Sequence, residues 1–260
     1  MKKYNALIIG CGAQGVGVGQ ENNPDKIINF AHALTEHDGF NLITCVDKDE
    51  DKAMDAAQIW NTCHETDLKR AFYAKRDVAI ITTPDRNHYE ILKQLAEYPL
   101  RLVICEKPLC KGLQHAREIV ELYMAKGIGL MVNYTRRFLP YYDFLKKENP
   151  LTAICRFNRG WLHSASHATD FFNMIGCENY EIFESQSDER VWDIRVAYRN
   201  FIFTEIRYGN QPVWPYYDKS HMHIINNAYE FLEGREEIKC TGKMALAALE
   251  KCYELMEDKK

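Results

Sequence analysis

Ala6-Leu7-Ile8-Ile9-Gly10-Cys11-Gly12-Ala13-Gln14-Gly15 is the stretch that decides how this chain is read. Its four apolar residues form a buried strand, and the glycines that follow spell G-x-G-x-x-G where a strand gives way to a helix. In such a turn Gly10 permits the sharp bend, Gly12 lets backbone approach a pyrophosphate, and Gly15 lets the helix pack on the strand. The helix start at Ala13 and Gln14 then offers unpaired N–H groups to phosphate oxygens. A glycine turn that holds no phosphate can have the same composition, so the flanking chain must decide.

Moving outward, apolar strands are expected at residues 42–46, 78–81, 102–105 and 128–132. Helices are expected from the glycine turn to Asp38-Gly39 and over residues 49–60, 87–97 and 113–126. Short apolar strands separated by helices imply a parallel sheet covered on both faces, and right-handed crossovers make it doubly wound. Asp47 closes the second strand, where a carboxylate accepts hydrogen bonds from adenosine ribose hydroxyls and repels a 2′-phosphate. That favours NAD over NADP, and Lys48 beside it tempers the preference. About 32 residues separate Gly15 from Asp47, against a usual roughly 20. Residues 16–24 therefore read as an insertion at the start of the first helix, either a loop over the cofactor or a surface excursion.

From about Asn133 the texture changes. Residues 153–159, 191–199 and 201–208 are rich in β-branched and aromatic side chains, with Arg199-Asn200 as a hairpin turn. Helices follow at 224–232, closed by Gly234, and at 245–256. The expected fold class is α/β: a Rossmann doubly wound parallel sheet plus a smaller α+β domain with an antiparallel sheet. The expected domains are residues 1–133 for the dinucleotide and 134–260 for substrate and oligomer contacts.

Composition narrows the function. The chain has 260 residues, 46% hydrophobic and 27% charged, an ordinary globular balance. A net charge of -4 gives no electrostatic reason for a nucleic-acid or anionic-membrane partner. No apolar run approaches the roughly 18 residues of a membrane span. The nine cysteines are scattered, odd in number and never in a C-x-x-C pair, as in a reduced cytoplasmic protein.

Three further motifs carry a resemblance. Thr83-Pro84 with His88, Cys105-Glu106-Lys107-Pro108, and Asn133-Tyr134-Thr135-Arg136-Arg137-Phe138-Leu139-Pro140 stand in the order and spacing of the glucose–fructose oxidoreductase/inositol dehydrogenase (Gfo/Idh/MocA) family. Thr241-Gly242-Lys243-Met244-Ala245-Leu246 resembles that family's entry to its final helix. The resemblance implies that Lys107 lies by the nicotinamide and the substrate hydroxyl, after a Lys–Pro bond that is often cis. It also implies that Thr83, Pro84, His88, Glu106 and Asn133 surround the cofactor. A lysine between a cationic nicotinamide and apolar strand ends should have a lowered pKa, suited to proton transfer near neutrality. Without its flanking motif, Lys107 reads as a surface loop lysine. Relative to the family, the second domain is short.

The family's second catalytic element is a helix bearing Asp-x-x-x-His-x-x-Asp. The matching stretch is His163-Ser164-Ala165-Ser166-His167-Ala168-Thr169-Asp170, with His167 in the place of the catalytic histidine and Asp170 in that of the following acid. His163 stands where aspartate is common, and Ala165 where glycine is. Residues 163, 167 and 170 are spaced to share one helix face, with Ala168, Phe172 and Ile175 on the other and Gly176 at the end. Three readings fit that face. His167 exchanges the substrate hydroxyl proton while His163 replaces an acidic substrate contact; or the histidines are satisfied within a core helix and catalysis is lost; or His163, His167 and Asp170 bind a metal.

Arg137 is a further candidate for substrate contact at the domain junction. Trp214-Pro215-Tyr216-Tyr217 is either a sugar-stacking wall or a core patch, and His221-Met222-His223 reads as incidental on an extended segment. The expected activity is hydride transfer between the nicotinamide of NAD(P) and a secondary alcohol or ketone carbon of a sugar, sugar acid, inositol or nucleotide-sugar. The alternative is a non-catalytic NAD(P)-binding regulator on the same fold. A homo-oligomer is expected, because an open sheet face tends to be covered by a second subunit.

Overall fold

The structure is a computed structural model that describes residues 2–18, 23, 25–158, 160–186, 191–208 and 217–258. The first sheet contains β1 (Tyr4–Ile9), β2 (Phe40–Val46), β3 (Cys63–Glu65), β4 (Val78–Ile81), β5 (Leu102–Cys105) and β6 (Gly129–Val132). Their order is β3-β2-β1-β4-β5-β6, and every pairing is parallel. Every residue of β4 and β5 is buried, which is why those strands read as unbroken apolar runs rather than as alternation. The order reverses between β2-β1 and β4, so the carboxyl ends of β1 and β4 open a crevice where the glycine turn sits.

Connecting helices are α1 (Ala13–Val16), α2 (Phe30–Glu36), α3 (Glu50–Trp60), α4 (His88–Leu95) and α5 (Leu113–Lys126). The Asp49 side chain accepts the Lys52 N–H at 3.4 Å, and Glu50 and Asp51 lie in the first turn of α3, where the helix dipole favours acids. The single helix expected from the glycine turn to Asp38 is broken. Gly17 is left-handed (φ 79°), and the Trp60 indole N–H takes the Val16 carbonyl at 2.9 Å, so the chain leaves α1 after one turn. It resumes at α2, where Asn29 caps the His32 N–H at 2.9 Å. Of the expected insertion, residues 19–22 and 24 lie outside the described residues.

The second sheet holds β7 (Pro150–Phe157), β8 (Tyr180–Glu184), β9 (Val191–Tyr198) and β10 (Ile202–Tyr208) in the order β10-β9-β7-β8. The hairpin at Arg199-Asn200 forms as expected, with the Tyr198 N–H donating to the Phe201 carbonyl at 2.9 Å. The sheet is mixed, however, not wholly antiparallel, because β8 runs parallel to β7. The reason is the connection: α6 (Ser166–Ile175) lies between them, and a strand–helix–strand crossover returns the chain in the same direction. The sequence reading missed β8, a short edge strand of five residues that carries Glu181 and Glu184. Residue 159, assigned to the first of these strands from sequence, lies outside the described residues.

A boundary at 133/134 separates the two sheets but not the two cores. One apolar cluster fills the space between the second sheet and α6, including Phe157, Phe171, Phe172, Ile194 and Val196. The last helices, α7 (Ser220–Leu232) and α8 (Gly242–Glu257), turn back to the first core through Ile224, Ile225, Ala228, Ala245 and Leu249. The chain thus crosses the junction twice, and the cleft is walled by both sheets. All nine cysteines are free thiols, and all but Cys63 are buried. Among the described residues no helix is long and apolar enough to cross a membrane.

Candidate active site

The glycine turn has the geometry its spacing implied. Gly10 has φ +103°, and a Cβ there would fall 2.8 Å from the Thr82 carbonyl carbon and the Thr83 nitrogen. At Gly15 a Cβ would fall 2.3 Å from the Gly10 oxygen, so helix and strand close only around glycine. Gly12 differs: a Cβ there would meet nothing within 4 Å, because its backbone borders open cleft. Asp47 ties this turn to β2, its carboxylate accepting the Cys11 N–H at 2.8 Å and the Asp49 N–H at 3.1 Å.

The cleft measures ≈ 1750 Å³ and runs from Asp47, Lys48 and Lys52 past Gly12 and Thr83 to Lys107, Asn133 and His167. That exceeds the roughly 300–1,000 Å³ of pockets for drug-sized ligands and suits a dinucleotide with a second molecule. Of the sequence-selected residues, Gly10, Gly12, Ala13, Gln14, Asp47, Thr83, Pro84, Glu106, Lys107, Asn133, His163 and His167 line it. A bare Gly12 backbone beside open space, the start of α1 and a carboxylate at the far end together fit an NAD molecule.

Gly15 and His88 do not line the cleft. Gly15 is packed under the turn, as its role in close packing requires. His88 corrects the expectation of a cofactor contact: it is fully buried, with Nδ1 2.9 Å from the Pro108 carbonyl and Nε2 2.9 Å from the Thr83 carbonyl. It pins the turn after β4 to the turn after β5. The Lys107–Pro108 bond in that second turn is cis. Beside it, Asn133 donates from Nδ2 to the Glu106 carboxylate at 2.6 Å. Burial pushes the Glu106 carboxyl up from its ordinary range, against the pull of that hydrogen bond. Burial also pulls the Lys107 ammonium down, opposed by the nearby Glu106 charge.

Lys107 Nζ donates to the His163 carbonyl at 3.0 Å, so its ammonium meets the turn that leads into α6. That turn is a π-helical stretch, Trp161–Ala165, and α6 proper begins at Ser166. The shared face expected for residues 163, 167 and 170 forms only in part: His163 and His167 line the same cleft, whereas Asp170 does not. His163 is exposed in the cleft wall and His167 half-buried beside it, while Asp170 is buried. His167 lies edge-on to Tyr134 (5.6 Å between centroids) and to Trp192 (6.2 Å).

Asp170 and Arg137, selected as substrate contacts, are corrected together. Both are buried, neither lines the cleft, and Arg137 Nε donates to Asp170 Oδ1 at 2.7 Å. Burial pushes the Asp170 carboxyl up to about 6, with Arg137 pulling the other way. The metal reading loses its third ligand by the same contact, and among the described residues no group of three histidine, cysteine or acidic side chains converges.

The residue that does face the cleft is the neighbouring Arg136. Consecutive residues in a 3₁₀ turn such as Thr135–Phe138 point about 120° apart, so only one of two adjacent arginines can face the opening. Sequence gave no means of choosing between them. Trp192, Asn158 and Ser164 also line the cleft and were not singled out. Of the aromatic cluster at 214–217, Tyr217 lines the cleft, while Trp214, Pro215 and Tyr216 lie outside the described residues. His221, read as incidental on an extended segment, is instead a buried cleft residue at the start of α7, edge-on to Phe30 at 4.6 Å. Burial pulls its imidazole down to about 3, so it is neutral.

These features define a dinucleotide-type α/β protein, and comparison with known proteins specifies it. The chain belongs to the oxidoreductase family with an NAD-binding Rossmann fold, whose model matches residues 5–134, half of the chain. A similar curated protein is inositol 2-dehydrogenase 4 of Saccharopolyspora erythraea, 34% identical over 122 residues, which are 45% of this chain and 36% of that protein. The chain thus spans well under half the length of the curated relatives it matches. Among solved structures, GenD2 from gentamicin A biosynthesis, in complex with NAD, superposes with TM-score 0.78 at 16% identity, covering 100% of this chain and 96% of that one. The WlbA dehydrogenase of Bordetella pertussis, in complex with NADH and UDP-GlcNAcA, superposes with TM-score 0.77 at 13% identity, covering 100% and 97%. At such identities the likeness is one of fold, and it extends through the second sheet.

Proposed function

We propose that this protein moves a hydride between the nicotinamide of NAD and a carbinol or carbonyl carbon of a sugar-like substrate. The observation that carries this reading is the 3.0 Å bond from Lys107 Nζ to the turn that delivers His167, in the cleft that also holds the bare Gly12 backbone. The reading assigns Gly10, Gly12, Ala13 and Gln14 to the pyrophosphate, Asp47 to the adenosine ribose, and Thr83, Pro84, Glu106 and Asn133 to the nicotinamide side. NAD, when bound, supplies the hydride chemistry. Lys107 holds or takes the hydroxyl proton at Nζ, its desolvation making the neutral amine accessible. His167 exchanges that proton with solvent, and His163 offers a polar contact at the cleft rim. NADP is less favoured, because the Asp47 carboxylate repels a 2′-phosphate.

Substrate class rests on analogy with proteins whose names specify an inositol and a nucleotide-sugar acid. Sugars, sugar acids, inositols and nucleotide-sugars are the compounds to try. Free thiols throughout fit a reducing, cytoplasmic setting. Exposed Leu151, Ile154, Phe201 and Ile202 on the second sheet and its hairpin favour a homo-oligomer.

The test is NADH fluorescence with that panel, followed by turnover of the best compound. Lys107→Ala and His167→Ala should each cut turnover by about 10²–10⁴. NADH binding without conversion of any panel compound would favour the non-catalytic regulator instead.

A further inference from the structure

Arg136 is held by an unusual set of contacts for a residue that lines a cleft. Its Nε donates to Glu205 Oε2 at 3.3 Å and its Nη2 to Glu205 Oε1. The same carboxylate takes the Trp192 indole N–H at 2.8 Å and the Tyr142 hydroxyl at 2.6 Å. Arg136 also lies over the Trp192 ring, with Cζ 4.7 Å from its centroid, and 6.0 Å from that of Tyr217. Glu205 is 3% exposed and sits on β10, while its donors come from β9 and from turns before β7. One buried carboxylate therefore fixes two cleft-lining groups, Arg136 and Trp192. Among the described residues Arg136 Nη1 has no acceptor.

We propose that Arg136 is a substrate-recognising residue, presenting Nη1 to a hydroxyl or carbonyl oxygen of a polyhydroxylated substrate, and that Glu205 is the positioning residue that holds it there. The inference deepens the oxidoreductase reading and rests on it. The planar guanidinium has one edge spent on Glu205 and its face on Trp192, so one donor group remains, with fixed direction. The charge of Arg136 is matched by Glu205, so what the cleft gains is orientation more than net attraction.

The test uses the full chain and a panel compound that the unaltered protein converts. Glu205→Gln keeps the shape but loses the charge-assisted bonds, and Arg136→Lys keeps the charge but loses the planar fork. Each should raise KM about ten- to hundredfold, the worth of a hydrogen bond to a charged group, with a much smaller change in kcat and unaltered NADH affinity. A second readout is the emission of Trp192, taken as the difference between the protein and its Trp192→Phe variant. It should shift in Glu205→Gln and be restored at least in part in Glu205→Asp.

Unchanged KM with only a lowered melting temperature would make the pair a core contact and overturn the proposal. So would a fall in kcat at constant KM, or a Trp192 emission indifferent to Glu205→Gln. Should Glu205→Gln fail to fold, Arg136→Lys, which keeps the pair's charges, decides. If the unaltered protein converts no panel compound, it is the oxidoreductase reading that fails; conversion with unchanged KM in the variants fails the clamp alone.

Discussion

Arg136 and Arg137 are adjacent in sequence, and each is bonded to a buried carboxylate, yet they belong to different parts of the molecule. Arg137 faces inward to Asp170 on α6 and joins the turn after β6 to the helix that delivers His167. Arg136 faces the cleft, with Glu205 behind it. Lys107, nearby, has a backbone carbonyl as its hydrogen-bond acceptor instead of a carboxylate, and burial lowers its pKa. Three cations at one junction thus differ in partner and in burial. A guanidinium stays charged in any case and a bonded carboxylate holds it still, whereas burial leaves the Lys107 ammonium able to give up its proton.

That contrast can be broken at several points. The largest effect is expected at the inward pair: Asp170→Ala leaves a buried guanidinium unpaired and should cost about 3–5 kcal/mol in urea unfolding. Replacing both members by methionine should recover most of the loss, and a loss below about 1 kcal/mol in the single variant would remove the distinction. A pH series separates Lys107 from the arginines. Oxidation needs the neutral amine, so its kcat/KM should rise with pH and level off below the ordinary lysine value of 10.5. Reduction needs the ammonium, so its rate should fall through the same range. Rates flat from about pH 6 to about 10 in both directions would deny Lys107 the proton.

The smallest effect is expected where the same ion-pair chemistry lies at the surface. Arg117 donates twice to Glu250 Oε1, at 3.0 and 2.9 Å, linking α5 to α8, with both side chains well exposed. Glu250→Ala should cost less than about 1 kcal/mol, and less still at high salt. A loss there as large as at Asp170 would mean that burial is not what sets these pairs apart.

The legible parts of the site were those with local causes. Gly10 and Gly15 stand where any side chain would collide with Thr82, Thr83 or the Gly10 carbonyl, so the spacing of glycines carries the turn's geometry in itself. The buried runs of β4 and β5 announced a parallel sheet in the same way. The illegible parts depend on angle. Asp170 turned from the cleft that His163 and His167 line to bond Arg137, and the choice between Arg136 and Arg137 turned on the rotation of a short 3₁₀ segment. Glu205 carries no motif: its role appears only when β10 places it behind residues nearly seventy positions earlier.

By itself the sequence determined the strand order's parallel character, the glycine cradle, and the Glu106-Lys107-Pro108 turn at its rim. The first two follow from steric and apolar constraints acting within a few residues, and the third from the resemblance that its motif carries. The tertiary structure alone decided which cation faces the cleft, which histidine is buried in its wall, and that β8 joins the second sheet in parallel. Those outcomes are set by where separate segments of chain meet, and a carboxylate orients an arginine only once folding has brought the two within hydrogen-bond reach.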